Sequence, residues 1–186
     1  MADVSRRSVL DGLAMPRNHA ASVASLPPAT RLVLKGAREA AGAVAEAFGA
    51  ALPLAPLRAE TNGARSALWM SPDEWLLIAE DPAPELKETL EAALSAIPHA
   101  LIDVSHRQSA IEVSGAGAAR LLNAGVPLDL DPSAFPVGMV VRTLLTKAEI
   151  TLWRRALDRF HVEFSRSFGP YVVAILAQAA NDQELC

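Results

Sequence analysis

Ser105 and His106 are the residues whose types first suggest a nucleophile and its base, since an imidazole can activate a hydroxyl beside it. Their spacing argues against the pair. Neighbours on a strand point to opposite faces, and no G-x-S-x-G stretch occurs; both read as polar residues at a strand edge. His19, His99, His106 and His161 could ligate a metal. None forms an i, i+4 pair on a helix, however, and no Cys or carboxylate cluster accompanies them at ligand spacing. No metal site is expected. Ser114-Gly115-Ala116-Gly117 follows a strand and opens a helix, as a dinucleotide-binding turn does. The third glycine position of that pattern is Arg120, which prevents close helix–strand packing. Ser114 is expected to cap an ordinary helix. Asp129 and Asp131, followed by Pro132, are a close acidic pair off any helix and suit a solvated turn.

Aromatic and cationic residues carry a different signal. Trp69, Trp75 and Trp153 lie on or beside strands, where core packing is their ordinary role. Tryptophan with arginine on a sheet face also makes an interface hot spot. Arg142, Arg154, Arg155 and Arg166 fall on strands of the second half, which points to docking on a larger partner.

The elements that position these residues follow from periodicity. Residues 1–28 mix charged, small and proline residues without a period and read as an extended or partner-bound arm ending at Pro27-Pro28. Arg31–Lys35 alternates as a half-buried strand. Ala37–Phe48 is an Ala-rich helix with Gly49 suited to its C-terminal cap. Leu52–Leu57, with two prolines, reads as loop. Ala67–Met70 and Trp75–Ala79 are strands around a Ser71-Pro72-Asp73-Glu74 turn. A helix from Pro84 to Ala96 stops at Pro98 and leads to a strand over His99–Val104. Residues 29–104 thus read β-α-β-β-α-β, a ferredoxin-like module. Residues 105–186 read as strand Arg107–Val113, helix Gly115–Ala124, strands Val137–Thr146, Ile150–Arg154 and Phe160–Arg166, and an apolar helix Phe168–Ala180. The expected class is α+β: two interlocked modules with mostly antiparallel sheets forming one compact unit.

Composition excludes some functions. A net charge of −4 without a dense basic cluster disfavours nucleic acid. No apolar run approaches the ~20 residues that span a bilayer. Arg6-Arg7 is not followed by the long apolar run of an export signal, because Asp11 and Pro16 interrupt it. The single cysteine, Cys186, precludes an intrachain disulfide. A cytoplasmic location is expected.

Three motifs carry a resemblance. Leu101–Leu122 (LIDVSHRQSAIEVSGAGAARLL), with Asp103-Val104-Ser105-His106 and Val113-Ser114-Gly115, is similar to the aminomethyltransferases, the T-protein family of glycine cleavage. Ala124–Trp153 resembles more narrowly the gamma-subunit family of heterotetrameric sarcosine oxidases. So do Trp69-Met70-Ser71-Pro72-Asp73-Glu74-Trp75 and the run from Phe160-His161-Val162-Glu163 to Ser167-Phe168-Gly169-Pro170-Tyr171.

That resemblance implies an aminomethyltransferase-like fold and a place in an assembly of alpha, beta, gamma and delta subunits. Such an assembly oxidises sarcosine to glycine and passes the one-carbon unit to tetrahydrofolate. It implies FAD, FMN, NAD, tetrahydrofolate and zinc in other subunits and no cofactor or catalytic residue in this chain. In the transferases a hairpin with glycines and paired aspartates orients the folate. Thr146–Thr151 has neither, and Glu149 is its only acid. The expected role is structural, with Trp69, Trp75, His106, Arg107 and Arg166 as interface candidates. The alternative is a reduced folate-binding module with Arg142, Glu149 and Trp153 lining its pocket.

Overall fold

A computed structural model describes residues 8–81 and 83–184; Arg6-Arg7 and Cys186 lie outside these. In chain order the elements are β1 (Ser22–Ser25), β2 (Thr30–Gly36), α1 (Arg38–Phe48), β3 (Ala59–Asn62), β4 (Arg65–Ser71), β5 (Glu74–Ala79), α2 (Leu86–Ala93), β6 (His99–Asp103), β7 (Gln108–Ser114), α3 (Ala118–Asn123), β8 (Val140–Leu145), β9 (Ala148–Ala156), β10 (Arg159–Ser165) and α4 (Gly169–Glu184). They build two five-stranded sheets, ordered β3-β4-β5-β2-β6 and β1-β7-β10-β9-β8. Every strand pairing is antiparallel, so the chain is α+β with antiparallel sheets, as expected.

Side-chain alternation decides the layering. Leu32, Leu34, Trp75 and Leu77 pack on α1 and α2, through Val44, Phe48, Leu86 and Leu90. Ile111, Val113, Ile150, Leu152, Phe160, Val162 and Phe164 pack on α3 and α4, through Leu121, Leu122, Val172 and Leu176. The opposite faces of the two sheets meet at Leu68, Leu76 and Ile78 against Val140 and Trp153. Each sheet is therefore covered on both faces. This is why Trp75–Ala79 is a continuous apolar run, buried throughout, instead of an alternating one.

Three differences from the sequence expectation have local causes. The supposed arm forms a strand over Ser22–Ser25, and there its partner is this chain: β1 pairs with β7, Ser22 opposite Ser114. Leu52–Leu57 is loop, yet the chain then forms β3, whose residues bury no apolar side chain and so carry no periodic signal. Ser114 does not cap α3. Its Oγ meets Ser22 Oγ at 3.1 Å, and the helix begins later, after Gly117 without a side-chain cap. Gly115 lies between them at φ +109°, where a Cβ would stand 2.4 Å from the Ala20 carbonyl oxygen. The glycine therefore serves the close approach of the N-terminal segment, not a phosphate.

Candidate functional site

The charged centre of the molecule lies between the sheets. Arg31 (β2) and Glu163 (β10) come from opposite sheets, and Arg31 Nε donates to Glu163 Oε2 at 2.8 Å. The second carboxylate oxygen, Oε1, accepts from His161 Nε2 at 2.7 Å. All three residues are 2% exposed. Strand alternation places His161 and Glu163 together, because Phe160, Val162 and Phe164 take the other face into the core. Burial works to raise the Glu163 carboxyl, but the His161 hydrogen bond and the Arg31 charge outweigh it and hold the group below its ordinary value. A general base at neutral pH needs a pKa near 7 and a free oxygen. Glu163 offers neither, so the arrangement is a structural ion pair. His161 Nδ1 and Trp153 Nε1 are buried without a hydrogen-bond partner, and the two rings stand 5.6 Å apart.

Beside this centre the sheets splay into an open cleft of about 340 Å³. One wall is apolar, with Val33, Met70, Leu76 and Ile102. The other is polar, with Arg142, Glu149, Thr151 and Glu163; Arg107 and Gln108 close one side. Glu74 bridges the walls by accepting from Arg142 Nη2, and it also holds Lys35 Nζ at 3.1 Å. Arg155 and Glu80 form a further inter-sheet pair at 2.9 Å. Arg107 and Glu149 make no ion pair among the described residues.

The structure thus brings Arg142 and Glu149 into one cleft and leaves Trp153 out of it. Trp153 is 4% exposed and belongs to the inter-sheet core, with the Arg155 guanidinium 4.9 Å over its ring. As an interface candidate Trp75 is corrected too: it is fully buried, and its Nε1 donates to the Pro53 carbonyl at 2.7 Å. Trp69 is half-buried. Arg154, grouped by sequence with the docking arginines, is buried. It donates to the carbonyls of Leu130, Phe135 and Leu157, and its guanidinium sits over the Phe160 ring. His106, Arg107 and Arg166 are exposed, and Arg166 N–H donates to the Arg107 carbonyl, holding the two arginines side by side.

Ser105 is turned to the backbone of β2 and not to the neighbouring His106. Its Oγ accepts from Arg31 N–H at 2.9 Å, while its own N–H donates to Asp103 Oδ1 at 2.8 Å. The D-V-S-H segment is therefore a turn that ends β6 and ties it to β2. Among the described residues no group of three or more His, Cys, Asp or Glu could hold a metal, and no helix is long and apolar enough to cross a membrane.

The profile of the sarcosine oxidase gamma subunit family matches residues 35–182. The chain belongs to that family. It is 34% identical over 142 residues to the sarcosine oxidase subunit gamma of Corynebacterium sp. (strain P-1), covering 75% of this chain and 69% of that one. Identity to the Arthrobacter sp. subunit is also 34%, covering 72% and 67% of the two chains. A chain of the heterotetrameric sarcosine oxidase from Corynebacterium sp. U-96, solved with pyrrole 2-carboxylate, superposes with a TM-score of 0.88 at 28% identity, covering 95% of each chain. The aminomethyltransferase T of the glycine cleavage system from Bartonella henselae shares the fold, with a TM-score of 0.63 at 13% identity. The match covers 89% of this chain and 50% of that one. Membership in the gamma family favours the subunit reading over the folate-binding alternative.

Proposed function

We propose that the chain is the gamma subunit of a heterotetrameric sarcosine oxidase and acts in assembly, with no reaction centre of its own. The buried, ion-paired centre carries this reading. The buried carboxylate at the head of the cleft has both oxygens occupied, by Arg31 and by His161. The near full-length likeness to a chain of such a heterotetramer supports it.

On this reading the alpha and beta subunits are the partners, with delta completing the assembly. The oxidation of sarcosine to glycine and the transfer of its one-carbon unit to tetrahydrofolate occur on those partners. FAD, FMN, NAD, tetrahydrofolate and zinc reside there, in the cytoplasm. His106, Arg107 and Arg166 are the exposed interface candidates that remain.

Co-expression with the alpha and beta subunits tests the reading. The expected result is one stable complex, and a purified lone chain with no flavin absorbance and no sarcosine turnover. A lone chain that oxidises sarcosine, or one that stays separate beside intact partners, overturns it.

A further inference from the structure

Of the four edge strands, β1, β3, β6 and β8, one lacks the devices that normally block an edge. Lysine, proline, a bulge or brevity usually prevents edge pairing. β1 has four residues and runs on to Pro27-Pro28. β3 has four residues and presents Glu60 and Asn62. β8 carries Arg142, clamped on Glu74. β6 has five residues, His-Ala-Leu-Ile-Asp, with no lysine, no proline and an unshifted register against β2. Its two polar ends are turned to local partners. His99 binds Glu91 and the Ile97 carbonyl, and Asp103 accepts from Ser105 N–H.

The same strand opens onto the cleft. Ile102 stands opposite Val33 in the β2–β6 ladder, lines the cleft and is 52% exposed. Val104 N–H donates to the Arg31 carbonyl, so by antiparallel alternation the N–H groups of Leu101 and Asp103 point away from β2, toward the open edge. Arg107, without a counter-ion among the described residues, borders the cleft.

We infer that β6 accepts an extended segment of another subunit as a sixth strand of its sheet. Aliphatic side chains of that segment enter the cleft beside Ile102, and an acidic side chain reaches Arg107. Strand addition supplies main-chain hydrogen bonds, and alternate side chains supply specificity. A second copy of this chain fits poorly: β6 spans about 16 Å, and two copies joined through it alone would fall well short of the roughly 1,200 Å² that stable complexes bury. A segment of a larger subunit adds this contact to a wider one.

The inference rests on the assembly role proposed above, and its test separates the two. Wild-type chain, Ile102→Lys, the milder Ile102→Ser and the control Leu157→Lys are each co-expressed with the alpha and beta subunits. Leu157 is 67% exposed, on the β9–β10 turn. Wild type and Leu157→Lys are expected to assemble equally. Ile102→Lys, with an unchanged melting temperature, is expected to bind about 30-fold more weakly, the scale of an interface hot spot. Hydrogen exchange should show Leu101 and Asp103 amides protected in the complex and not in the free chain. If wild type assembles while both Ile102 variants match it, or if those amides exchange as fast in the complex, strand addition is wrong and the assembly role stands. Failure of wild type itself to assemble removes the assembly role. A lone chain that dimerises until Ile102 is changed makes the occupant a second copy and overturns the inference.

Discussion

Arg31 and Glu163 stand 132 positions apart in sequence and meet at 2.8 Å between the two sheets, their side chains 3% and 2% exposed. Removing one partner of such a pair leaves an uncompensated buried charge and costs about 3–5 kcal/mol. Glu163→Leu should therefore lower the urea-unfolding free energy by about that much. The double variant Arg31→Met/Glu163→Leu should recover most of it, since an apolar replacement of both partners is often neutral. A double variant as unstable as the single one would contradict this account.

Acid sensitivity follows from the same carboxylate. Burial opposes its charge, but His161 and Arg31 hold its folded pKa below the value of about 4.5 that an ordinary glutamate has in the unfolded chain. A depressed carboxylate contributes stability above the unfolded pKa, and that contribution is lost as pH falls through the folded one. The wild type should lose stability more steeply below about pH 4.5 than Arg31→Met/Glu163→Leu does. Thermal melts at a series of acidic pH values check this, and parallel curves for the two proteins would count against it.

Arg154 should prove structural, not a docking residue. Its fork satisfies three carbonyls, those of Leu130, Phe135 and Leu157, in a buried setting. Lysine keeps the charge but lacks the planar fork. Arg154→Lys should cost about 2–3 kcal/mol through carbonyls left unpaired, and limited proteolysis should then cut between residues 124 and 139. Equal protease resistance in the two proteins would show that the loop is held by other contacts.

Gly115 makes the N-terminal segment part of the fold. Gly115→Ala places a Cβ against the Ala20 carbonyl at an unfavourable positive φ. The expected result is faster hydrogen exchange in β1 and a loss of about 2 kcal/mol, with the β3-β4-β5-β2-β6 sheet unaffected. Unchanged exchange at Val23, whose N–H donates to the Pro16 carbonyl, would refute the close-approach argument.

The sequence made some of this legible and hid the rest for physical reasons. Arg31–Lys35 and Phe160–Arg166 alternate, and both fall in strands because one face must enter a core, except that Arg166 lies past the end of β10 and opens a 3-10 turn. The polar face of the latter, His161 and Glu163, reads as solvent-facing. It is buried because a second sheet covers it, and a contact across 132 positions leaves no periodic trace. β1 and β3 escape notice because β1 buries only Val23 and β3 buries no more than part of Ala59. Arg142 and Glu149 flank one hairpin and share the cleft, whereas Trp153 faces the inter-sheet core further along β9. Residue type alone could not separate Trp75, wholly interior, from half-buried Trp69.

His99 connects the proposed docking edge to pH. Its Nδ1–H donates to the Ile97 carbonyl at 2.8 Å and its Nε2 meets Glu91 at 2.7 Å, anchoring the start of β6 to α2. The Ile97 carbonyl first, and Glu91 second, raise the imidazole above its ordinary 6.5. A raised pKa contributes stability that is complete below the unfolded value and is lost as pH rises through the folded one. The anchor therefore loosens from near neutrality upward. Hydrogen exchange at Ala100 and Ile102, the amides turned toward β2, corrected for intrinsic base catalysis, should quicken as pH rises above about 6.5. Glu91→Gln should shift that onset to lower pH without changing amides in β9. An onset that stays put in Glu91→Gln would mean that the backbone bond to Ile97 alone sets the titration.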